Sequence, residues 1–300
     1  MTEFELTRVA LPTGVELDVA VAGLPSNPAV ILLHGFPESH RTWRHQIDDL
    51  AKDHFVLAPD QRGYARSSKP QGVENYTPDK TVADLLALAD DYDIDRFTLV
   101  GHDWGGAIAW MAALNHPHRV TRLIIVNAPH PFIFQRTLFD DMDQRAASQY
   151  ITAWRDPGFE KHIDLSEFFD EHFMLYADFE KMHDEKPIYL GQWGRPGAVT
   201  AMLNWYRASP IHVPAMDATS ERPAYLNRPF PPLKTPTLVI WGMGDKALLP
   251  VQLEGLDSLI PDLTIARLDG VGHFAPWEAP DKVTGAMRAW LRRSPREAHL

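Results

Sequence analysis

Hydrophobic positions in the first 126 residues follow two alternating patterns. Short apolar runs are typical of strands covered on both faces of a sheet, and they occupy 29–33, 55–58, 97–100 and 122–126. Apolar residues at helical spacing lie between them, at 41–52, 81–93 and 107–115. Residue-by-residue alternation at 4–11 and 15–21 predicts a half-buried hairpin before the first of these strands. Buried strands that alternate with helices predict an α/β protein with a mostly parallel sheet and right-handed crossovers.

This alternation stops after residue 131 and resumes at about residue 235. The intervening chain has no clear buried strand, and its helical stretches, rich in aromatic and charged residues, lie at 145–154, 165–176 and 197–207. The final segments predict strands at 235–241 and 263–268 and helices at 253–259 and 280–291. We therefore expect a helical cap at 132–230, inserted between two parts of one core at 1–131 and 231–300.

Composition narrows the classes of protein that this chain can represent. With 45% hydrophobic residues in 300, the chain can bury a sizeable core. A net charge of −11 without a basic cluster argues against nucleic acid or a membrane surface as a partner. No cysteine is present, so disulfide and thiolate chemistry are excluded. Without a signal peptide or a membrane-length apolar run, a cytoplasmic protein is expected, and a homodimer is compatible with the sequence.

The run Gly-His-Asp-Trp-Gly-Gly at 101–106 lies between a predicted strand and a predicted helix. This pattern is typical of a nucleophile elbow, a turn too tight for Cβ atoms at its flanking positions. Its central residue is Asp103 in place of the usual serine. A carboxylate with an ordinary pKa near 3.9 is already ionised at neutral pH, so it can attack carbon and form an ester without a base. The alternative is that Asp103 only caps the following helix.

Two further residues complete a possible catalytic triad. Asp245 and His273 each follow a predicted strand, and the carboxyl ends of parallel strands meet at one edge of a sheet. The chain order of nucleophile, acid and histidine is that of a known class of triad. Asp245 would orient His273, which would activate water in a second step. Asp60 also follows a strand, but it precedes the nucleophile, so we interpret it as structural.

Backbone donors are needed to stabilise the oxyanion of such an ester. The N–H groups of Phe36 and Trp104 are the candidates, one in the His-Gly-Phe-Pro run and one in the elbow. Apolar substrate pockets are built mainly from hydrophobic and aromatic side chains. We therefore predict a pocket formed by Phe36, Pro37, Trp104, Trp154 and Phe274.

Four motifs in order resemble the soluble epoxide hydrolases of the α/β-hydrolase fold. They are His-Gly-Phe-Pro at 34–37, the elbow, Asn-Trp-Tyr-Arg at 204–207 and Gly-His at 272–273, and the resemblance runs from about 14 to 290. It implies that two cap tyrosines donate hydrogen bonds to the epoxide oxygen. Tyr206 matches one through its Asn-Trp-Tyr-Arg context, and Tyr150 matches the other by spacing. The implied reaction converts a small hydrophobic epoxide and water into a vicinal diol, without a cofactor.

Other functions remain as alternatives. A haloalkane or haloacetate dehalogenase would use the same Asp nucleophile. However, Phe36 stands where haloalkane dehalogenases typically have asparagine, and Trp104 stands where fluoroacetate dehalogenases typically have arginine. A non-catalytic ligand-binding relative would be expected to lack part of the triad, and all three members are present.

Histidines outside the triad indicate no metal site. The pairs His40/His45 and His116/His118 lack the spacing to a third ligand. We expect His34 to be a buried histidine that supports the oxyanion loop, and His130 at the entry to the cap has an equally good structural interpretation.

Overall fold

A computed structural model of the protein describes residues 6–176, 179–217 and 221–293. Within these ranges one sheet has eight strands in the order β1-β2-β4-β3-β5-β6-β7-β8. The strands are β1 (Leu6–Ala10), β2 (Glu16–Ala22), β3 (Ala29–Leu33), β4 (Phe55–Pro59), β5 (Phe97–His102), β6 (Val120–Val126), β7 (Thr237–Gly242) and β8 (Leu263–Leu268). The β1–β2 and β2–β4 pairs are antiparallel, and all other pairs are parallel. The predicted hairpin and mostly parallel sheet are confirmed for the described residues.

Apolar side chains of the central strands enter two separate hydrophobic cores, one on each face of the sheet. In β3, Ile31 and Leu33 belong to one core, while Val30 and Leu32 belong to the other. This follows from the pleat, since successive side chains of a strand point to opposite faces. The continuous apolar runs of the sequence therefore correspond to strands buried on both sides.

Helices cover both faces before and after the inserted segment. Before it lie α1 (Arg44–Leu50), α2 (Pro78–Asp91) and α3 (Asp103–Asn115). Between β6 and β7 lie α4 (Pro131–Asp140), α5 (Met142–Ala147), α6 (Tyr150–Trp154), α7 (Leu165–Tyr176), α8 (Lys186–Trp193) and α9 (Ala198–Ala208). After β7 lie α10 (Leu256–Leu259), α11 (Ala275–Glu278) and α12 (Pro280–Leu291). Short 3₁₀ helices occupy His40–Trp43, Val73–Tyr76, Phe159–His162, Phe179–Glu185, Ala224–Asn227 and Pro250–Leu253.

The inserted helical cap is thus present, while its predicted bounds of 132 and 230 stay a prediction. One helix was expected at 145–154, and this was wrong, because α5 ends at Ala147 and α6 begins at Tyr150. Ser148 lies at the break, and its hydroxyl accepts a hydrogen bond of 2.9 Å from Gln144 one turn earlier. None of the helices in the described ranges is long and apolar enough to cross a membrane.

Candidate active site

Asp103 lies at a sharp turn between β5 and α3, with a positive φ of 50°. The turn brings the flanking backbone into close contact. A Cβ on Gly105 would lie 2.2 Å from the carbonyl oxygen of Leu33, and a Cβ on Gly101 would lie 2.4 Å from that of Gly105. Only glycine fits at both positions, so these residues fix the Asp103 side chain at the carboxyl end of β5.

The Asp103 carboxylate is held between a backbone donor and a histidine. Its Oδ1 accepts a hydrogen bond of 2.7 Å from the Phe36 N–H. Its Oδ2 lies 3.7 Å from His273 Nε2. Burial alone would raise the pKa of Asp103, but His273, His102 and the Phe36 N–H together hold this pKa below its ordinary value. The carboxylate is therefore ionised although it is buried.

His273 is oriented by Asp245 through a short hydrogen bond. The distance from Nδ1 to Asp245 Oδ2 is 2.7 Å, and both side chains are buried. The other carboxylate oxygen, Oδ1, accepts from the N–H groups of Ala247 and Leu248, each at 2.9 Å. Burial lowers the pKa of His273, but Asp245 and Asp103 raise it well above its ordinary value. In the free enzyme the imidazole is therefore protonated on both nitrogens, with Nδ1 directed at Asp245 and Nε2 at Asp103.

Asn127 is a part of the site that sequence reasoning missed. It directly follows β6, and its Nδ2 donates to Asp245 Oδ2 at 2.8 Å. Its Oδ1 accepts a hydrogen bond of 2.9 Å from the Gly242 N–H at the end of β7. One amide side chain thus joins Asp245, the predicted acid of the triad, to the end of β7. The signal in the sequence was its position, since it follows a strand at the same edge of the sheet.

The loop that carries His273 has its own supports, which were also missed. The N–H groups of Gly272 and Phe274, on either side of His273, donate to the two oxygens of Glu278 at 3.0 and 2.8 Å. His102 Nε2 lies 2.9 Å from the carbonyl oxygen of His273. These contacts fix the backbone of His273 from both sides.

Two cap tyrosines line a small cavity of about 80 Å³ together with Asp103. Its other lining residues are mainly apolar, and the full set is Asp103, Trp104, Ala107, Pro129, Pro131, Phe134, Tyr150, Ile151, Tyr206, Ile211 and Leu248. Tyr206 is a residue of α9, and Tyr150 is the first residue of α6. Their ring centroids are 6.2 Å apart. The structure therefore brings both predicted tyrosines to the same cavity as the predicted nucleophile.

Tyr206 is fixed by aromatic contacts from the core and from the cap. Its ring is edge-on to those of Phe36, Trp104 and Trp154, with centroids 5.1, 5.0 and 4.9 Å away. Burial, followed by Tyr150 and Asp103, raises its pKa well above the ordinary value of 10. Its hydroxyl is therefore protonated at neutral pH and can act as a hydrogen-bond donor.

Comparison with known proteins identifies the family. The alpha/beta hydrolase fold family matches residues 28–280 of this chain. The chain belongs to the α/β-hydrolase family. The predicted fold is thereby confirmed.

Several relatives with high similarity to this chain are epoxide hydrolases. A structure from a study of novel epoxide hydrolases in metagenomes from hot environments is 49% identical, with a TM-score of 0.90, and covers 98% of this chain and 100% of that one. The structure of a mutant of an epoxide hydrolase from Bacillus megaterium is 31% identical, with a TM-score of 0.84 and coverage of 96% and 100%. Epoxide hydrolase A of Mycobacterium tuberculosis is 32% identical, over 95% of this chain and 96% of its own length. The predicted resemblance to epoxide hydrolases is confirmed.

The predicted pocket differs from the cavity of this α/β-hydrolase. Of the five residues, only Trp104 lines the cavity beside Asp103. Phe36 packs against Trp154 with a centroid distance of 4.8 Å, and the Pro37 carbonyl accepts a hydrogen bond from the cap. Phe274 is fully buried and stacked on a tryptophan of α11. The same apolar residue types build cores and pockets, so residue type alone did not separate these four residues from the cavity lining.

The residues interpreted as structural have ordinary structural contacts. Asp60 accepts from the backbone N–H and from Nδ1 of His40, at 2.7 and 2.9 Å. His34 is buried, with its Nδ1 2.8 Å from the Gly35 carbonyl, as expected of a support for the oxyanion loop. His130 precedes α4 and accepts from the Phe132 N–H, and burial lowers its pKa to about 4. Across the ranges that the structure describes, no group of three or more metal-ligating side chains lies together.

Proposed function

We propose that this protein hydrolyses small uncharged epoxides to vicinal diols through a covalent ester on Asp103. The observation that carries this proposal is the cavity that Asp103 lines together with Tyr150 and Tyr206. Epoxide opening needs a nucleophile on one side of the ring and a proton donor for the oxygen on the other. The predominantly apolar lining favours an uncharged substrate. The family relationship to epoxide hydrolases supports the same conclusion.

The first step forms the ester. Asp103 Oδ2 attacks the less hindered ring carbon, the carbon–oxygen bond of the ring breaks, and the ring oxygen takes a proton from a tyrosine hydroxyl. Tyr206 is the more deeply buried of the two donors, with Tyr150 beside it. General acid catalysis of this kind contributes roughly 10²–10⁴ in rate. The product is a hydroxyalkyl ester of Asp103 and a tyrosinate that regains its proton later.

Ester formation prepares His273 for the second step. In the free enzyme, Asp103 and Asp245 both raise the pKa of His273. The ester removes the negative charge of Asp103, so the pKa of His273 falls and its Nε2 releases the proton that it carried in the free enzyme. This proton balances the one that the tyrosinate regains, and Nε2 can then accept a proton from water. The resulting hydroxide attacks the ester carbonyl carbon, and the N–H groups of Phe36 and Trp104 stabilise the oxyanion. Breakdown of this intermediate releases the diol and restores the carboxylate.

A trapping experiment tests the mechanism. The variant His273→Gln should form the ester but hydrolyse it very slowly, because no base activates the water. With styrene oxide, we expect the peptide containing Asp103 to gain the mass of one epoxide. The double variant with Asp103→Ala is the control and should gain no mass. A His273→Gln variant with normal turnover would contradict the proposed base.

A second assay separates epoxide hydrolysis from dehalogenation. The wild-type enzyme is offered styrene oxide, simple haloalkanes and haloacetates, and both diol and halide are measured. We expect diol and no substantial halide. Halide release without diol formation would overturn the proposed function and favour a dehalogenase with the same nucleophile.

A further inference from the structure

A four-residue turn after β3 connects the nucleophile to the cap. The Glu38 N–H donates to the Gly35 carbonyl at 3.1 Å and closes the turn. Inside it, the Phe36 N–H donates to Asp103 Oδ1 at 2.7 Å. The carbonyl of the next residue, Pro37, accepts a buried hydrogen bond of 2.8 Å from the indole N–H of Trp193 in the cap. The proposed oxyanion donor and a cap contact are therefore on adjacent residues of one closed turn.

The helix that carries Trp193 is tied to this region of the core at both of its ends. Trp193 is the last residue of α8, and Glu185 immediately precedes the helix. The Glu185 carboxylate accepts two hydrogen bonds from Arg41, at 2.5 and 2.7 Å, and Arg41 follows the turn by three residues. Such paired Arg–carboxylate contacts fix geometry as well as adding energy. α8 thus clamps the segment that contains the proposed oxyanion donor.

A second cap tryptophan provides a comparison within the same molecule. The indole N–H of Trp205, in α9, donates to the Arg62 carbonyl at 3.1 Å. Both tryptophans therefore join a cap helix to a core loop through one buried hydrogen bond. The two contacts differ in the proposed catalytic group that is adjacent in sequence. Trp205 directly precedes Tyr206, whereas Pro37, the acceptor for Trp193, directly follows Phe36.

We propose that Trp193 is a positioning residue for ester hydrolysis, because its N–H fixes the turn that aims the Phe36 N–H at Asp103. This inference rests on the proposed ester mechanism. During ester formation Asp103 loses its charge, so a hydrogen bond to Oδ1 does little to stabilise the transition state of this step. During hydrolysis the same oxygen becomes an oxyanion, and a misplaced donor then costs the most. Loss of the Trp193 hydrogen bond should therefore slow the second step selectively.

The variant Trp193→Phe removes the N–H and keeps an aromatic ring. Ester formation and ester decay are followed separately in single turnovers by rapid quenching and intact mass. We expect decay to be about tenfold slower, less than the roughly 10²–10³ lost when an oxyanion donor is removed entirely. Since kcat/KM depends only on steps up to ester formation, kcat and KM should fall together while kcat/KM stays within about twofold. A general loss of cap structure would instead lower kcat/KM.

The matched control is Trp205→Phe, which removes the buried N–H of this second cap tryptophan. We expect it to slow ester formation through the neighbouring Tyr206 and to leave the decay of the ester unchanged. If Trp193→Phe does not fold, Glu185→Gln loosens the other end of α8 and should slow decay in the same direction by a smaller factor. If the unmodified enzyme forms the ester and folded Trp193→Phe hydrolyses it at the unmodified rate, the inference about Trp193 is overturned and the proposed function stands. Absence of any ester in the wild-type enzyme overturns the proposed function instead.

Discussion

The two halves of the site are held in place by different interactions. The core half consists of Asp103, Asp245 and His273, and hydrogen bonds of 2.7–2.9 Å to backbone, imidazole or amide groups hold its two carboxylates. The cap half is built from rings, and Tyr206 is enclosed by aromatic side chains at centroid distances near 5 Å. Charged groups need partners to remain ionised when buried. A neutral proton donor needs only a fixed place and exclusion of water.

This difference predicts how each half responds to substitution. A change in the core half removes a charge or leaves a buried charge without its partner, so the chemistry stops. A change in the cap half weakens the positioning of a donor, so one rate falls while the other reactions continue. Experiments on the two halves therefore test the comparison directly.

The largest effect is expected for the nucleophile itself. Asp103→Ala should lower diol formation by at least about 10⁴-fold, because no ester can form. Diol produced from styrene oxide is the measurement. Asp60→Asn is the matched control, since Asp60 is another buried carboxylate at the end of a strand. It should lower the melting temperature by weakening the His40 contact and keep turnover within about tenfold. Loss of turnover in folded Asp60→Asn would put Asp60 in the chemistry.

The tyrosine pair should give intermediate effects. Tyr206→Phe should slow ester formation by about 10²-fold, and Tyr150→Phe, which alters the half-buried partner, by about tenfold. The double variant should nearly abolish ester formation, and Tyr225→Phe, at an exposed cap tyrosine, should change nothing. Ester formation in single turnovers is the measurement. A silent Tyr150→Phe would show that the second donor has been assigned to the wrong residue.

The smallest effect is a displacement of the pH profile. Ester decay needs neutral His273, so it should slow by about tenfold per pH unit below the pKa of His273 in the ester. Ester formation needs ionised Asp103, whose pKa is lowered, so it should continue to lower pH. The ester should therefore accumulate on the acid side, as quenched samples at several pH values would show.

Asp245 provides the control for this profile. Since Asp245 raises the pKa of His273, Asp245→Asn should move the acid limb of ester decay to lower pH while reducing the maximal rate. An unmoved limb would mean that another group controls the profile.

Local geometry explains which features could be predicted from the sequence. The elbow can be predicted from the Gly-x-Asp-x-Gly spacing because a turn this tight excludes Cβ atoms at defined positions. The proximity of Asp245 and His273 can be predicted because residues that follow parallel strands meet at one edge of the sheet. Their catalytic roles stay predictions until the variants are measured.

The features that sequence analysis missed depend on tertiary contacts. Asn127 has no motif, and its role appears only when β6 and β7 pair. Phe36, Trp154 and Phe274 have the same apolar character whether they line a cavity or pack in the core. Which of these occurs depends on how the cap helices lie on the core, and no short stretch of sequence contains that information.

The left-handed backbone conformation at Asp103 limits which stabilising substitutions this site can accept. Four non-glycine residues in the described ranges have positive φ, and two of them are Asp103 and Asn127 of the site. Such conformations cost of order 1–3 kcal/mol each, against a total folding free energy of about 5–15 kcal/mol. Glycine would relieve this strain at either position and would also remove a side chain of the candidate site. Selection for thermal stability alone would therefore tend to remove the proposed nucleophile, so engineering for stability should leave these two turns unchanged.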